Sequence, residues 1–208
     1  MSEDLLKGWL NYKPVEKEDD INLLLSTRSD QCLIRNLQND EYFNLMPNCN
    51  INSNTNELYF SECATNFINE LFNKYVDDET LVISTSDEHD NVKKCVETCK
   101  NKLVLDYHEE VMNLNLNKVK RKTHGYKKAF VYIIGTQIST GEITPQCFFE
   151  LLKDYLNANE VKSIFVLDDV HGMFLFPRNY SLFDFVLFTA HALIKGYDMG
   201  LLVARKEL

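Results

Sequence analysis

The sequence SIFVLDDVHG, residues 163–172, places an apolar run directly before two carboxylates and a histidine. Residues 164–167 predict a strand that is buried on both faces, as in a parallel sheet. Asp168, Asp169 and His171 then follow at the carboxyl end of that strand, which is where open parallel sheets bind their ligands. Because an unpaired carboxylate is costly to bury, we expect both aspartates to have partners. The stretch therefore predicts a polar site at one edge of a sheet.

Similar apolar runs recur on both sides of this strand, and amphipathic stretches separate several of them. This alternation is typical of β-α units that build a mostly parallel sheet. We predict further strands at residues 58–60, 81–84, 103–105, 129–134, 185–188 and 201–204, and helices at residues 64–75, 91–100 and 145–156. Buried strands flanked by helices imply an α/β fold, a three-layer α/β/α sandwich.

Composition limits the classes of protein to consider. With 208 residues, 45% of them hydrophobic, the chain can bury one good core. Residues 1–55 are rich in Asn, Asp and Glu and predict a partly irregular N-terminal segment, whereas residues 56–208 carry the α/β pattern. A net charge of -9 argues against nucleic acid as a partner. We expect no membrane association and a cytoplasmic location, because the sequence shows neither a long apolar run nor a signal peptide.

The six cysteines show no paired C-x-x-C framework, which predicts reduced thiols in a reducing compartment. Cys95 and Cys99 are one helical turn apart, so they could share a ligand or lie on one half-buried helix face. No second pair at ligand spacing accompanies them, and we predict no metal. The basic cluster at residues 118–128 predicts a solvated connecting loop.

Polar residues also follow the other predicted strands. Ala64 and Thr65 begin a helix, where backbone N–H groups could bind an anion or where Thr65 could simply cap the helix. Glu88 and His89 follow residues 81–84, and Gln137 lies in the polar loop that precedes the helix at residues 145–156. Thr189 and His191 follow the strand at residues 185–188.

In this order, these segments resemble fold-type I pyridoxal-phosphate (PLP) enzymes over residues 57–206, closest to the class V aminotransferase and cysteine desulfurase branch. The group II amino-acid decarboxylases are the second choice, because residues 134–136 and the spacing from Asp168 to Met173 and Pro177 are also similar to theirs. The resemblance implies the large domain of such an enzyme, PLP as cofactor and an amino acid as substrate.

The resemblance also implies a role for each matching residue. Asp168 corresponds to the carboxylate that keeps the pyridine nitrogen protonated, which makes the ring an electron sink. His89 corresponds to the histidine that stacks on the ring and takes part in catalysis. The remaining cofactor contacts implied are Ala64 and Thr65 at the phosphate, His171 beside the cofactor, and Thr189 and His191 at the phosphate and the Schiff base. Near the ring hydroxyl the family has an asparagine, and Gln137 or Ile138 falls at that position here.

The sequence departs from the family at the residue that binds the cofactor covalently. The residue after His191 is Ala192, where the family has its Schiff-base lysine. Alanine offers neither a nucleophile nor a base, so we expect an inactive or strongly impaired enzyme. Lys195, within the same turn, is a possible substitute. A natural pseudoenzyme that acts as a binding or regulatory subunit and a deliberate Lys-to-Ala change both explain the alanine.

The family's small C-terminal domain has no counterpart in the sequence. We therefore expect a split subunit, a truncated chain or a degenerate relative. Large domains of this fold meet across a dimer interface, so the resemblance implies a homodimer or a heterodimer with a paralogous chain. The alternative is an unrelated α/β protein in which these polar residues only cap helices and fill loops.

Overall fold

The computed structural model describes residues 51–52, 54–61, 63–137, 139–172, 178–189 and 200–206. Within these ranges one sheet contains β1 (Asn56–Ser61), β2 (Thr80–Thr85), β3 (Lys102–Leu105), β4 (Lys128–Ile134), β5 (Lys162–Asp168), β6 (Phe185–Thr189) and β7 (Gly200–Arg205). The strand order is β1-β7-β6-β5-β4-β2-β3. Only β7 runs against the others, because it pairs antiparallel with both β6 and β1. The mostly parallel sheet is confirmed.

The described helices are α1 (Ala64–Tyr75), α2 (Asp90–Thr98), α3 (Asn117–Lys122) and α4 (Gln146–Ala158), with a π-helical turn at Tyr107–Met112 and a 3₁₀ turn at Tyr180–Leu182. Helix α1 is amphipathic: Phe67, Ile68, Leu71 and Phe72 recur at helical spacing and are buried. Helix α4 buries one face in the same way. Packing of these apolar faces, rather than helix propensity alone, holds such short helices on the sheet.

The described residues form two apolar cores, one on each face of the sheet. Alternate residues of β4 belong to different cores, as the period of a strand requires: Phe130 and Tyr132 pack with α1 and α2, whereas Val131 and Ile133 pack with α4. Helix α3 and the π-helical turn join the second core through Val119 and Val111. The predicted three-layer sandwich is therefore confirmed.

The structure corrects local details of the sequence prediction. The first part of the basic cluster lies in helix α3, residues 117–122, rather than in a loop, because Val119 is buried against the core while the lysines remain exposed. Pro145 is the N-cap of α4, which begins at Gln146. Helix α2 ends at Thr98, and Cys95 and Cys99 lie half-buried against the core on that side of the sheet.

The predicted N-terminal segment lies, apart from residues 51–52 and 54–55, outside the described residues. None of the described helices has the length and apolar character that crossing a membrane requires.

Candidate functional site

Strands β2 and β4 are neighbours that separate at their carboxyl ends. Their pairing ends at Ile83 and Val131. Among the described strands, β2 pairs beyond this point only with β3, and β4 only with β5. The chain also changes direction across the sheet here, since β3 lies on one side of β2 and β4 on the other. Open α/β sheets bind ligands at such a switch point.

A cleft of about 260 Å³ opens at these strand ends. The segment between β2 and α2 forms one wall, and the loop after β4 forms the other. The lining residues are Asp87, Glu88, His89, Asp90, Lys93, Gln137 and Ser139. The structure therefore brings Gln137 close to Glu88 and His89, from which it is distant in the sequence.

Glu88 bridges the gap between the two strands. Its Oε1 accepts hydrogen bonds from Thr85 Oγ1 of β2 at 2.6 Å and from the Ile134 amide of β4 at 3.0 Å. The side chain thus replaces a strand-to-strand hydrogen bond where the pairing has ended. Glu88 is only 3% exposed. Burial, together with the smaller effect of the nearby negative charge of Asp168, raises its pKa from 4.5 to about 8.

Asp168 lies at the last position of β5, where the sequence placed it. It is 5% exposed, and its Oδ2 accepts a hydrogen bond from Tyr132 Oη at 2.9 Å. Its Oδ1 accepts a hydrogen bond from the Val170 amide at 3.3 Å. Burial raises the pKa of Asp168, although the Tyr132 hydroxyl opposes the rise. Glu88, Tyr132 and Asp168, here called the acid cluster, therefore lie together behind the cleft.

Tyr132 was not predicted as a site residue. It is fully buried, and burial together with the neighbouring charge of Asp168 raises its pKa well above the usual value. The hydroxyl therefore stays protonated and donates to Asp168. In the sequence Tyr132 lies inside the apolar run of β4, where a tyrosine predicts only another aromatic residue of the core.

His89 lies at the entrance of the cleft and starts helix α2. Its Nδ1 accepts a hydrogen bond from the Asn91 amide at 3.2 Å, so the ring caps the helix. The Asn91 side chain in turn donates to Thr65 Oγ1 at 2.8 Å. This link ties the N-terminus of α2 to the N-terminus of α1. The predicted phosphate contacts, Ala64 and Thr65, consequently lie beside the cleft wall that carries His89.

Helix α1 begins against the first residue of β7. A Cβ on Gly200 would lie 2.6 Å from the Ala64 amide nitrogen and 2.6 Å from the carbonyl carbon of Cys63. Only glycine permits this approach of backbone to backbone. The N-cap residue Cys63 makes no side-chain capping hydrogen bond, and the first turn of α1 has no acidic residue. No side-chain cap and no acidic residue of the first turn therefore competes with an anion at this helix end.

The loop after β4 is held by a dense set of hydrogen bonds. Thr144 Oγ1 donates to the Ile134 carbonyl at 2.6 Å, and the Thr144 amide donates to the Gly135 carbonyl at 2.9 Å. Gln137 is buried, its Oε1 accepts from Thr140, and its amide donates to the Glu142 carbonyl at 2.8 Å. Gln137 therefore keeps its side-chain NH₂ group as the donor that it can offer toward the cleft.

Asp169 belongs to a second buried network that the sequence did not reveal. Its Oδ2 lies 3.5 Å from Arg178 Nε and accepts a hydrogen bond from Tyr180 Oη. Arg178 also donates to the Gly135 carbonyl and, at 3.1 Å, to the Thr144 carbonyl. The guanidinium thus ties the end of β5 to the loop after β4. The sequence did indicate that Asp169 needs a partner, because a buried carboxylate is costly. It could not indicate that the partner would be Arg178.

The remaining predicted residues divide into two groups. His171 is exposed just past β5, close enough for its charge to lower the pKa of Asp168 and of Asp169 against the larger effect of burial. Thr189 ends β6 and is half-buried. Ala192, Lys195 and His191 lie outside the described residues.

Solved structures share this arrangement of strands and helices. A NifS-like protein from Rickettsia africae matches with a TM-score of 0.58 and 17% identity, over 75% of this chain and 42% of its own. SepCysS, in a complex with the SepCysE N-terminal domain, matches with a TM-score of 0.57 and 14% identity, over 74% of this chain and 43% of its own. A lysine-to-alanine variant of serine palmitoyltransferase from S. paucimobilis, with a bound PLP–myriocin aldimine, matches with a TM-score of 0.57 and 18% identity, over 73% of this chain and 38% of its own.

These matches establish the fold. The chain has the fold of the large domain of fold-type I PLP enzymes, as the sequence resemblance predicted. It spans less than half the length of each of these three structures. No protein-family model and no curated protein matches the sequence.

Proposed function

We propose that the cleft between β2 and β4 binds PLP, and that the chain is the cofactor-binding part of an enzyme that transforms amino acids. The observation that carries the proposal is Asp168, a buried carboxylate at the carboxyl end of β5. Among the described residues, no lysine or arginine forms an ion pair with it. A cationic ring nitrogen is a partner that such a carboxylate fits. When bound, PLP supplies an electron sink for the α-carbon of an amino acid.

The N-terminus of α1 fits the phosphate of the same cofactor. Thr65 Oγ1 accepts a hydrogen bond from Asn91, which leaves the hydroxyl proton for a second partner. The backbone amides that follow Cys63 add donors and the favourable end of the helix dipole. In this proposal His89, on the adjoining wall of the cleft, stacks on the ring, and Gln137, in the opposite wall, contacts a polar ring substituent.

Three further contacts complete the proposal. In this proposal His171 contacts the cofactor beside Asp168, and Thr189 and His191 contact the phosphate and the aldehyde group. The solved structures support the choice of ligand, since serine palmitoyltransferase is described there with PLP. The amino-acid substrate and the class V or group II chemistry come from the sequence resemblance.

Ala192 occupies the position at which this family carries its lysine, so the chain as written should bind PLP without a covalent bond and should be impaired in catalysis. The test is Ala192→Lys, made with and without Lys195→Ala. We expect the lysine variant, loaded with PLP, to gain a visible absorbance band that borohydride removes. The same band in the Lys195→Ala background would assign it to position 192 rather than to Lys195.

A second test is Asp168→Asn in the Ala192→Lys background. Asparagine keeps the size of the side chain and an oxygen that accepts the hydrogen bond from Tyr132. It has no negative charge, so it cannot neutralise a ring cation. We expect PLP affinity to fall about tenfold or more, on the scale of a lost charge-assisted hydrogen bond. Equal PLP binding with Asp and Asn at this position would contradict the proposal.

A non-catalytic binding subunit is the second candidate, and the alanine at position 192 is the observation that favours it. Its partner would be a paralogous chain that supplies the lysine across a dimer interface. This candidate predicts a stable hetero-oligomer in the source organism and no gain of covalent PLP after Ala192→Lys. A homogeneous monomer isolated from that source would count against it.

A further inference from the structure

Glu88 has one oxygen that the site described so far does not use. Oε1 accepts two hydrogen bonds, from Thr85 Oγ1 and from the Ile134 amide. Oε2 is buried, and within the described part of the chain it has no hydrogen-bond partner. The residue nevertheless lines the cleft. A buried polar atom without a partner is costly in a folded protein, which makes this oxygen a candidate for contact with a bound molecule.

The two hydrogen bonds on Oε1 also locate the proton of the acid. Both of its neighbours are donors, so Oε1 must act as an acceptor. At neutral pH the buried side chain is protonated, with a pKa of about 8. The proton therefore resides on Oε2. Among the described residues, the titratable groups close to Glu88 are Tyr132 of β4 and Asp168 of β5, and Asp87, His89 and Lys93 line the cleft with it.

We propose that Glu88 contacts the ligand directly, donating a hydrogen bond from Oε2 to an acceptor oxygen of the ring bound at the floor of the cleft. The inference rests on the proposed function and assigns a new contact within that site. Asp168 then serves the cationic nitrogen of the ring, and Glu88 serves an oxygen of the same ring. The two buried carboxyl groups thus have opposite roles, one as acceptor and one as donor.

The test uses deoxypyridoxine phosphate, which lacks the aldehyde and cannot react with lysines. Its affinity is measured by calorimetry for the chain as written, for Glu88→Gln and for Glu88→Met. Glutamine keeps an acceptor for Thr85 and a donor in place of Oε2, whereas methionine keeps only the volume. We expect Glu88→Gln to bind within about twofold of the original chain and Glu88→Met to bind about tenfold more weakly. Glu97→Gln, which removes an exposed carboxylate of α2, is the matched control.

The dependence of affinity on pH separates a ligand contact from a structural role. Between about pH 6 and about pH 9, Glu88 loses its proton and with it the donor, so the affinity of the original chain should fall relative to that of Glu88→Gln. The titrations of the ligand itself are common to both proteins and cancel in the ratio. This comparison remains decisive if Glu88→Met does not fold.

Two results overturn the inference. One is equal affinity of the original chain and Glu88→Met, and the other is a ratio to Glu88→Gln that does not change with pH. If binding depends on Asp168 but not on Glu88, the further inference fails and the proposed function stands. If deoxypyridoxine phosphate does not bind the original chain at all, both fail.

Discussion

Replacing Glu88 by glutamine should change how the stability of the ligand-free protein depends on pH. Burial raises the pKa of Glu88 from 4.5 to about 8 in the folded chain. Between these values the folded state holds a proton that the unfolded state has released. The free energy of unfolding therefore falls as pH rises through this window, by about 1.4 kcal/mol per pH unit.

Summed over the window, this linkage amounts to about 5 kcal/mol. The contribution is fully present below pH 4.5 and is lost by about pH 8. Glutamine is neutral throughout and keeps the acceptor for Thr85 and Ile134. The stability of Glu88→Gln relative to the original chain should therefore rise steadily across the same interval.

Urea unfolding of both proteins at closely spaced pH values measures this difference. Burial also raises the pKa of Asp168 and of Asp169, but both residues are present in the two proteins, so their contributions largely cancel. Parallel stability profiles for the two proteins would refute the reasoning. They would mean that Glu88 is ionised in the folded state and that its burial is compensated by other means.

Three further substitutions test the packing around the site, and urea unfolding measures each. Arg178→Met leaves the Asp169 carboxylate buried without its cation, so the free energy of unfolding should fall by about 3 kcal/mol or more; a change below about 1 kcal/mol would contradict the ion pair. Gly200→Ala forces a Cβ against the start of α1 and should lower the free energy of unfolding by about 1–3 kcal/mol. Leu152→Ala shortens a fully buried side chain of α4 and should lower the free energy of unfolding by about 2–5 kcal/mol; an unchanged midpoint would show that this face of α4 does not pack against the core.

The sequence predicted most of the fold because apolar runs and helical spacing are local signals. Strands β2, β4 and β5 and helix α1 lie where those signals indicated. The direction of β7 could not be predicted, since an apolar run has no polarity. Helix α3 was missed because its contact with the core depends on Val119 alone, and one buried residue makes no period.

The candidate site was only partly predictable, for a different reason. Asp168 and His89 follow strands, and a strand end is visible in the sequence. Tyr132 and Arg178 act through pairing with Asp168 and Asp169, and such pairs form only when the sheet brings distant segments together. The burial of Glu88 was also hidden, because a glutamate among aspartates reads as part of a solvated turn.

The antiparallel strand β7 has a consequence for biosynthesis. It separates β6 from β1, so β1, the first of the described strands in sequence, pairs in this sheet only with one of the last. During translation β1 therefore cannot pair in this sheet until β7, near the end of the described chain, has left the ribosome. In the interval, the edge of β6 that β7 will cover is open to other strands. Nascent chains that stop before Gly200 should consequently be strong clients of chaperones that shield exposed strand edges.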